Sequence, residues 1–132
     1  MHIQKLTYVD FNGQERTEDF HFHLSLPEVA RIEAEIGKPI PEYAKELSDG
    51  SDMPRLLAFI ERVMLTSYGK KTEDGKSFYK SPELQKEFEY SNAYAELFEM
   101  MLTNPEMAQK FGEKVADNGK KRKVQSEHPA SN

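Results

Sequence analysis

The N-terminal pattern of apolar and polar positions predicts a β-hairpin. Runs rich in β-branched and aromatic residues lie on both sides of Asn12-Gly13, a pair suited to a two-residue type I′ turn. In that register the residue numbers of each cross-strand pair add up to 25, and the hairpin spans about residues 3–23. Leu6 and Tyr8 then fall on the more polar face. The other face is expected to be buried, and it collects Ile3, Val9, Phe11, Phe20 and Phe22.

A change of period after the hairpin predicts helices. Ser25 and Glu28 have capping-box spacing, and Gly37 supplies a stop after the stripe Leu26, Val29, Ile32 and Ile36. A short helix follows Pro39 and Pro41 and presents the apolar residues Ile40, Tyr43, Ala44 and Leu47.

The next predicted helix is the central one. Asp52 is its expected cap and Gly69 its expected terminator. Its apolar positions are Met53, Leu56, Leu57, Ile60, Val63, Met64 and Tyr68.

The remaining boundaries are marked by turn and cap residues. The polar stretch 69–80 favours a second, smaller hairpin. Ser81-Pro82, Ser91 and Asn104-Pro105 begin three further helices, whose apolar positions continue to Val115.

These elements predict an α+β fold, with the N-terminal β-hairpin packed on a bundle of five or six mostly short α-helices. We expect one domain over residues 1–116 and a disordered basic tail over 117–132.

Composition narrows the class of protein. Charged residues make up 31% of the chain. The sequence has no cysteine, which excludes disulfides, thiolate nucleophiles and zinc ribbons. No apolar run has the ~18–20 residues of a membrane span. The net charge is −5, with about −7 on residues 1–116 and +2 on the rest, which disfavours general nucleic-acid binding. The basic run 120–123 is either a solubilising tail or a minimal nucleic-acid patch.

Candidate chemistry is sparse. His2, His21 and His23 come together in the predicted register, where they are either metal ligands or a solvated strand face. Ser25, Ser81 and Ser91 are explained as helix caps, and the carboxylates fall on helix surfaces. The sequence therefore predicts no enzymatic activity, no cofactor and no required metal.

The C-terminal helices carry more apolar residues than one stripe can bury. Met100, Met101 and Leu102 are consecutive and point in different directions around a helix. They indicate either an inner helix surrounded by others or a methionine-containing surface for apolar partners.

Several segments resemble the small tail assembly chaperones of long-tailed bacteriophages, over about residues 5–115. They are TYVDFNGQERTEDFHF (7–22), SYGKK (67–71), DGKSF (74–78), SPEL (81–84) and YAELF (94–98). The resemblance implies a non-catalytic protein of the host cytoplasm that binds the tape-measure protein and keeps it soluble. The tail-tube protein and further copies of the chain are additional candidate partners, whereas nucleic acid and membrane are not.

A partner-binding surface is expected where the apolar residues exceed one stripe. Its candidate residues are Tyr94, Phe98, Met101, Met107 and Phe111. The rival hypothesis is a structural or adaptor component of the virion, such as a tail-completion or connector subunit.

Overall fold

A computed structural model describes residues 1–117. Its strands are β1 (His2–Val9), β2 (Glu15–Phe22), β3 (Tyr68–Lys71) and β4 (Phe78–Tyr79). Its helices are α1 (Leu26–Ile36), α2 (Ile40–Leu47), α3 (Met53–Ser67), α4 (Pro82–Glu89), α5 (Asn92–Thr103) and α6 (Pro105–Val115). The predicted α+β class is confirmed, and the predicted tail lies outside the described residues except for Asp117.

Helix boundaries follow the predicted caps. The Ser25 side chain accepts from the Glu28 N–H, and Glu28 accepts from the Ser25 N–H at 2.8 Å, which completes a capping box. Gly37 ends α1 with φ +81°, a left-handed conformation that glycine adopts without a Cβ penalty. Asp52, Ser81, Ser91 and Asn104 likewise accept from main-chain N–H groups at the starts of α3, α4, α5 and α6.

The first hairpin differs from its prediction by one residue. Val9 pairs with Glu15 and His2 with Phe22, so paired positions sum to 24. The Gly13 N–H donates to the Asp10 carbonyl at 3.0 Å and Gly13 has φ +82°, while no non-glycine residue among the 117 described has a positive φ. The loop therefore has three residues and a left-handed glycine, because a type I′ turn would need positive φ at Asn12 as well.

This shift reverses the buried face of β1. Leu6 is 1% exposed, whereas Ile3, Val9 and Phe11 are 50%, 52% and 80% exposed. A one-residue change of register moves every side chain of a strand to the other face. The predicted burial of Phe20 and Phe22 is right, and that of the three exposed residues is wrong.

The second hairpin forms as predicted, but it joins the first. Strand order is β1-β2-β3-β4 in one antiparallel sheet, because β3 pairs with β2 through His21–Gly69 and Phe22–Tyr68. Tyr68 is therefore the first residue of β3 rather than the last apolar residue of a helix, and α3 ends at Ser67 without Gly69 as its terminator.

One core joins the sheet to the helices. α5 and α6 contact β1, α4 contacts β3, and α3 packs against α4, α5 and α6. The largest fully buried apolar side chains are Leu6, Phe22, Leu24, Ile32, Ile40, Met64, Leu97 and Val115. Leu26 and Met53, which belong to predicted apolar stripes, are exposed.

Candidate functional site

Helix α5 presents an apolar surface beside its core face. Its buried side is formed by Ala93, Leu97 and Met101, which point toward the sheet and the neighbouring helices. The Ser91 hydroxyl accepts from the Tyr94 N–H and fixes the first turn. The Asn92 side-chain amide donates to the Val9 carbonyl at 2.8 Å and ties the helix to β1. These two hydrogen bonds fix the orientation of the apolar surface that α5 presents beside its core face.

The five predicted partner-binding residues lie in three settings. Met101 and Phe111 are each 3% exposed and belong to the core. Tyr94 and Phe98 are half-buried, with ring centroids 6.1 Å apart. Met107 lines a different cleft, beside His2 and Met100. Only Tyr94 and Phe98 are therefore brought together with accessible surface.

Rigid aromatic packing holds this pair. Tyr94 makes an edge contact with Phe88 at 5.4 Å, and Phe88 stacks on Tyr68 at 4.4 Å. Leu102 lies one turn beyond Phe98 and is also half-buried. The spacing of four places these side chains on one helical face. We call Tyr94, Phe98 and Leu102 the α5 stripe.

The stripe leads into an apolar groove between helices. Helices α2, α3, α5 and α6 line it together with Ser48, its single polar side chain among the described residues. The lining residues are Ala44, Ser48, Leu56, Phe59, Ile60, Val63, Met101, Leu102, Pro105, Ala108, Phe111 and Gly112. Met101 and Phe111 form part of its floor. We call this the α3–α6 groove.

The groove is too small for a typical cofactor. Its enclosed volume is about 30 Å³, against ~300–1,000 Å³ for typical small-molecule sites. Leu56, Phe59 and Leu102 are half-buried around it. Part of the apolar lining is therefore accessible at the protein surface.

Phe59 is the groove residue that sequence reasoning missed. It lies between the predicted apolar positions of α3, so the period alone did not select it. Its ring makes an edge contact with Tyr43 at 5.0 Å, and Arg55 donates to the Tyr43 hydroxyl. The sequence feature that could have identified Phe59 is an aromatic residue next to the predicted apolar stripe of α3.

The electrostatic environment of the stripe is acidic. The pKa of Tyr94 is raised to about 12, first because burial disfavours the charged phenolate and then because Glu61 and Glu89 lie nearby. The phenol therefore remains neutral at physiological pH, and carboxylates border the aromatic surface.

The histidines do not assemble as the predicted register placed them. His2 lies opposite Phe22 rather than His23, its Nε2 atom donates to the Gln4 side-chain oxygen at 3.0 Å, and its ring contacts Phe111. Within residues 1–117 no group of three or more histidine, aspartate or glutamate residues could hold a metal ion.

A half-buried polar contact lies near His23. Lys80 forms an ion pair with Glu28, the carboxylate of the α1 capping box. Burial lowers the pKa of Lys80 despite this pairing. The ring of His23 packs edge-on against Phe78 at 5.7 Å, and its Nδ1 atom is buried without a hydrogen-bond partner among residues 1–117. These contacts join β2, α1 and the second hairpin.

Comparison with known proteins identifies one family. A family model described as phage tail assembly chaperone matches residues 1–124. Searches of curated proteins and of solved structures gave no significant match. Within residues 1–117, no helix is both long and apolar enough to cross a membrane.

Proposed function

Because this chain belongs to the phage tail assembly chaperone family, we propose that it binds the tape-measure protein and keeps it soluble during tail morphogenesis in the host cytoplasm. The role is non-catalytic. The observation that carries the proposal beyond the family is the α5 stripe, an ordered apolar surface continuous with the α3–α6 groove.

The stripe and the groove supply a docking surface for an amphipathic helix. Recognition of this kind places apolar anchors, spaced by one helical turn, into a groove between helices. Tyr94, Phe98 and Leu102 provide the accessible contacts, and the buried Met101 and Phe111 shape the floor beneath them. Met107, in its separate cleft, would extend contact with a long partner.

Release of the partner follows from modest individual contacts. A half-buried stripe offers limited area to each bound segment. Several chaperone copies on one long chain would then hold it through many weak contacts, which tail-tube subunits could displace in turn. The net charge of −5 would keep the assemblies soluble through mutual repulsion.

Co-expression with the tape-measure protein tests this function. We expect the tape-measure protein to become soluble and to co-purify with the chaperone. The double variant Phe59→Ser, Leu102→Ser should lose this effect, with circular dichroism used to verify that it is folded. The matched control Ile3→Ser, Val9→Ser removes two half-exposed apolar side chains from the outer face of the sheet and should retain it. A tape-measure protein that stays equally insoluble with and without this chain would refute the proposal.

Analysis of purified virions separates the chaperone from a structural or adaptor subunit. A chaperone that leaves before completion should be missing from mass spectra of the virion. A fixed copy number in every particle would instead identify a tail-completion or connector component.

A further inference from the structure

Within residues 1–117, the carboxylates near the α5 stripe form no salt bridge with a basic side chain. Helices α4 and α5 carry five glutamates and one lysine. Glu61 of α3 is near enough to Tyr94 to raise the pKa of its phenol. None of these six carboxylates forms a salt bridge within residues 1–117: Glu61, Glu83, Glu87, Glu89, Glu96 and Glu99. In the described part of the chain, the surface therefore combines apolar contacts with carboxylates that form no ion pair.

Other helices show that this chain can pair its acidic residues. Lys38 pairs with Glu46 between α1 and α2, and Arg62 of α3 pairs with Glu35 of α1. Basic side chains are also concentrated in the second hairpin, where Lys70, Lys71, Lys76 and Lys80 lie within eleven residues. Within residues 1–117, the carboxylates near the stripe therefore lack the ion pairs that acidic residues of α1 and α2 form.

The individual carboxylates lie close to the stripe. Glu61 and Glu89 are near enough to Tyr94 to oppose ionisation of its phenol. Glu99 is exposed and directly follows Phe98 on α5. Glu61 and Glu89 therefore lie near Tyr94 from α3 and α4, and Glu99 adds an exposed carboxylate next to Phe98 in the sequence of α5.

We propose that the α5 stripe and its acidic border bind a basic amphipathic helix, whose apolar side chains contact the stripe while its lysine or arginine residues meet Glu61, Glu89 and Glu99. This inference rests on the proposed function, because it specifies which kind of tape-measure segment the chaperone would select.

A helical occupant suits the geometry of the surface. From Tyr94 to Leu102 the stripe covers eight residues, or about 12 Å along the helix axis at ~1.5 Å per residue. Apolar residues on two to three turns of a partner helix span the same length, and a third helix packs readily against a groove between two others. The long stems of lysine and arginine can also lie along the Tyr94 and Phe98 rings while their charges reach the carboxylates.

Synthetic peptides test this chemistry with the full-length protein. Three 18-residue helical peptides share one length and register: one with a leucine stripe flanked by lysine, one with the same stripe flanked by glutamate, and one with lysine flanks but serine in place of leucine. We expect saturable binding of the first alone, with NMR shifts at Tyr94, Phe98 and Leu102. Binding should weaken as salt rises, because exposed charge pairs are screened.

Charge variants locate the effect on the chaperone. Glu61→Gln, Glu89→Gln, Glu99→Gln should bind the lysine–leucine peptide about tenfold more weakly, since each exposed pair contributes modestly. The control Glu15→Gln, Glu73→Gln, Glu113→Gln removes the same number of exposed carboxylates elsewhere and should bind as the wild type does. Equal loss in the two triple variants, or equal binding of the glutamate or serine peptide, would overturn the proposal.

The tape-measure experiment distinguishes failure of this inference from failure of the function. If the tape-measure protein co-purifies equally with the wild type and the Glu61→Gln, Glu89→Gln, Glu99→Gln variant, the basic-helix inference is wrong and the chaperone role stands. If the lysine–leucine peptide binds as expected but the tape-measure protein does not co-purify, the surface chemistry stands and its assignment to that partner is wrong.

Discussion

Asp10 and Gln14 are joined by two hydrogen bonds across the tip of the first hairpin. The Asp10 N–H donates to the Gln14 carbonyl at 2.8 Å, and the Gln14 N–H donates to the Asp10 carboxylate at 2.9 Å. The same carboxylate accepts from the Asn12 N–H and the Arg16 side chain. One residue thus organises a three-residue loop that leaves Phe11 exposed.

Replacing Asp10 with alanine should loosen this loop. We expect faster hydrogen exchange at the amides of Asn12 and Gln14, with little change in the core strands. The hydrogen bond from Arg16 and then those from Gln14 and Asn12 hold the pKa of Asp10 below its ordinary 3.8. Its stabilising effect is therefore complete above pH 3.8 and is lost as the pH falls through the lowered pKa. Unchanged amide exchange in the Asp10→Ala protein would contradict this account.

The register of β1 can be tested by comparing two residues on opposite faces. Leu6→Ala should lower the free energy of unfolding by about 2–5 kcal/mol, because it removes a buried side chain and leaves a cavity. Ile3→Ala should cost no more than about 1 kcal/mol, since Ile3 lies on the open face. Urea denaturation of both variants measures the difference. The reverse order would support the register in which paired positions sum to 25.

Two glycines should respond oppositely to alanine. A Cβ on Gly69 would lie 2.4 Å from the Tyr79 carbonyl oxygen and 2.6 Å from the Phe78 ring, so Gly69→Ala should separate β3 from β4 and lower the melting temperature. A Cβ on Gly112 would lie 3.5 Å from Ile40, in ordinary contact. Gly112→Ala should stabilise α6 by up to about 1 kcal/mol through helix propensity. Calorimetry of the pair provides the test, and a stabilising Gly69→Ala would be inconsistent with the packing of the second hairpin.

His23 should make the protein less stable in mild acid. Burial lowers its pKa from 6.5, and the N-terminal amine and Lys80 lower it further, against the smaller opposing effects of Glu28 and Asp117. Between that lowered pKa and 6.5 the unfolded chain binds more protons than the folded protein, so stability falls as the pH drops below about 6.5. His23→Gln should flatten the dependence of melting temperature on pH between 7 and 5. A dependence as steep as that of the wild type would show that other groups cause it.

Local sequence determined the helices because their boundary interactions span only a few residues. Ser25 and Glu28 satisfy each other's main-chain N–H groups, and Gly37 adopts a conformation that its own lack of a side chain permits. The cap at Ser81 is equally local. Apolar spacing likewise predicted an α+β fold with its helices covering Phe20 and Phe22, and family resemblance rather than spacing indicated the function.

Tertiary structure decided the sheet and the surface. Asn-Gly is compatible with loops of two or three residues, and the longer loop is the one that buries Leu6 with Phe22 against the helices. Tyr68 follows Met64 at helical spacing, but pairing with Phe22, 46 positions earlier in the chain, places it in a strand. Met101 and Phe98 belong to the same apolar helix. The packing of α3 and α6 leaves Met101 buried and Phe98 partly accessible. Long-range packing determines register and exposure, since both depend on which distant side chains fill the same space.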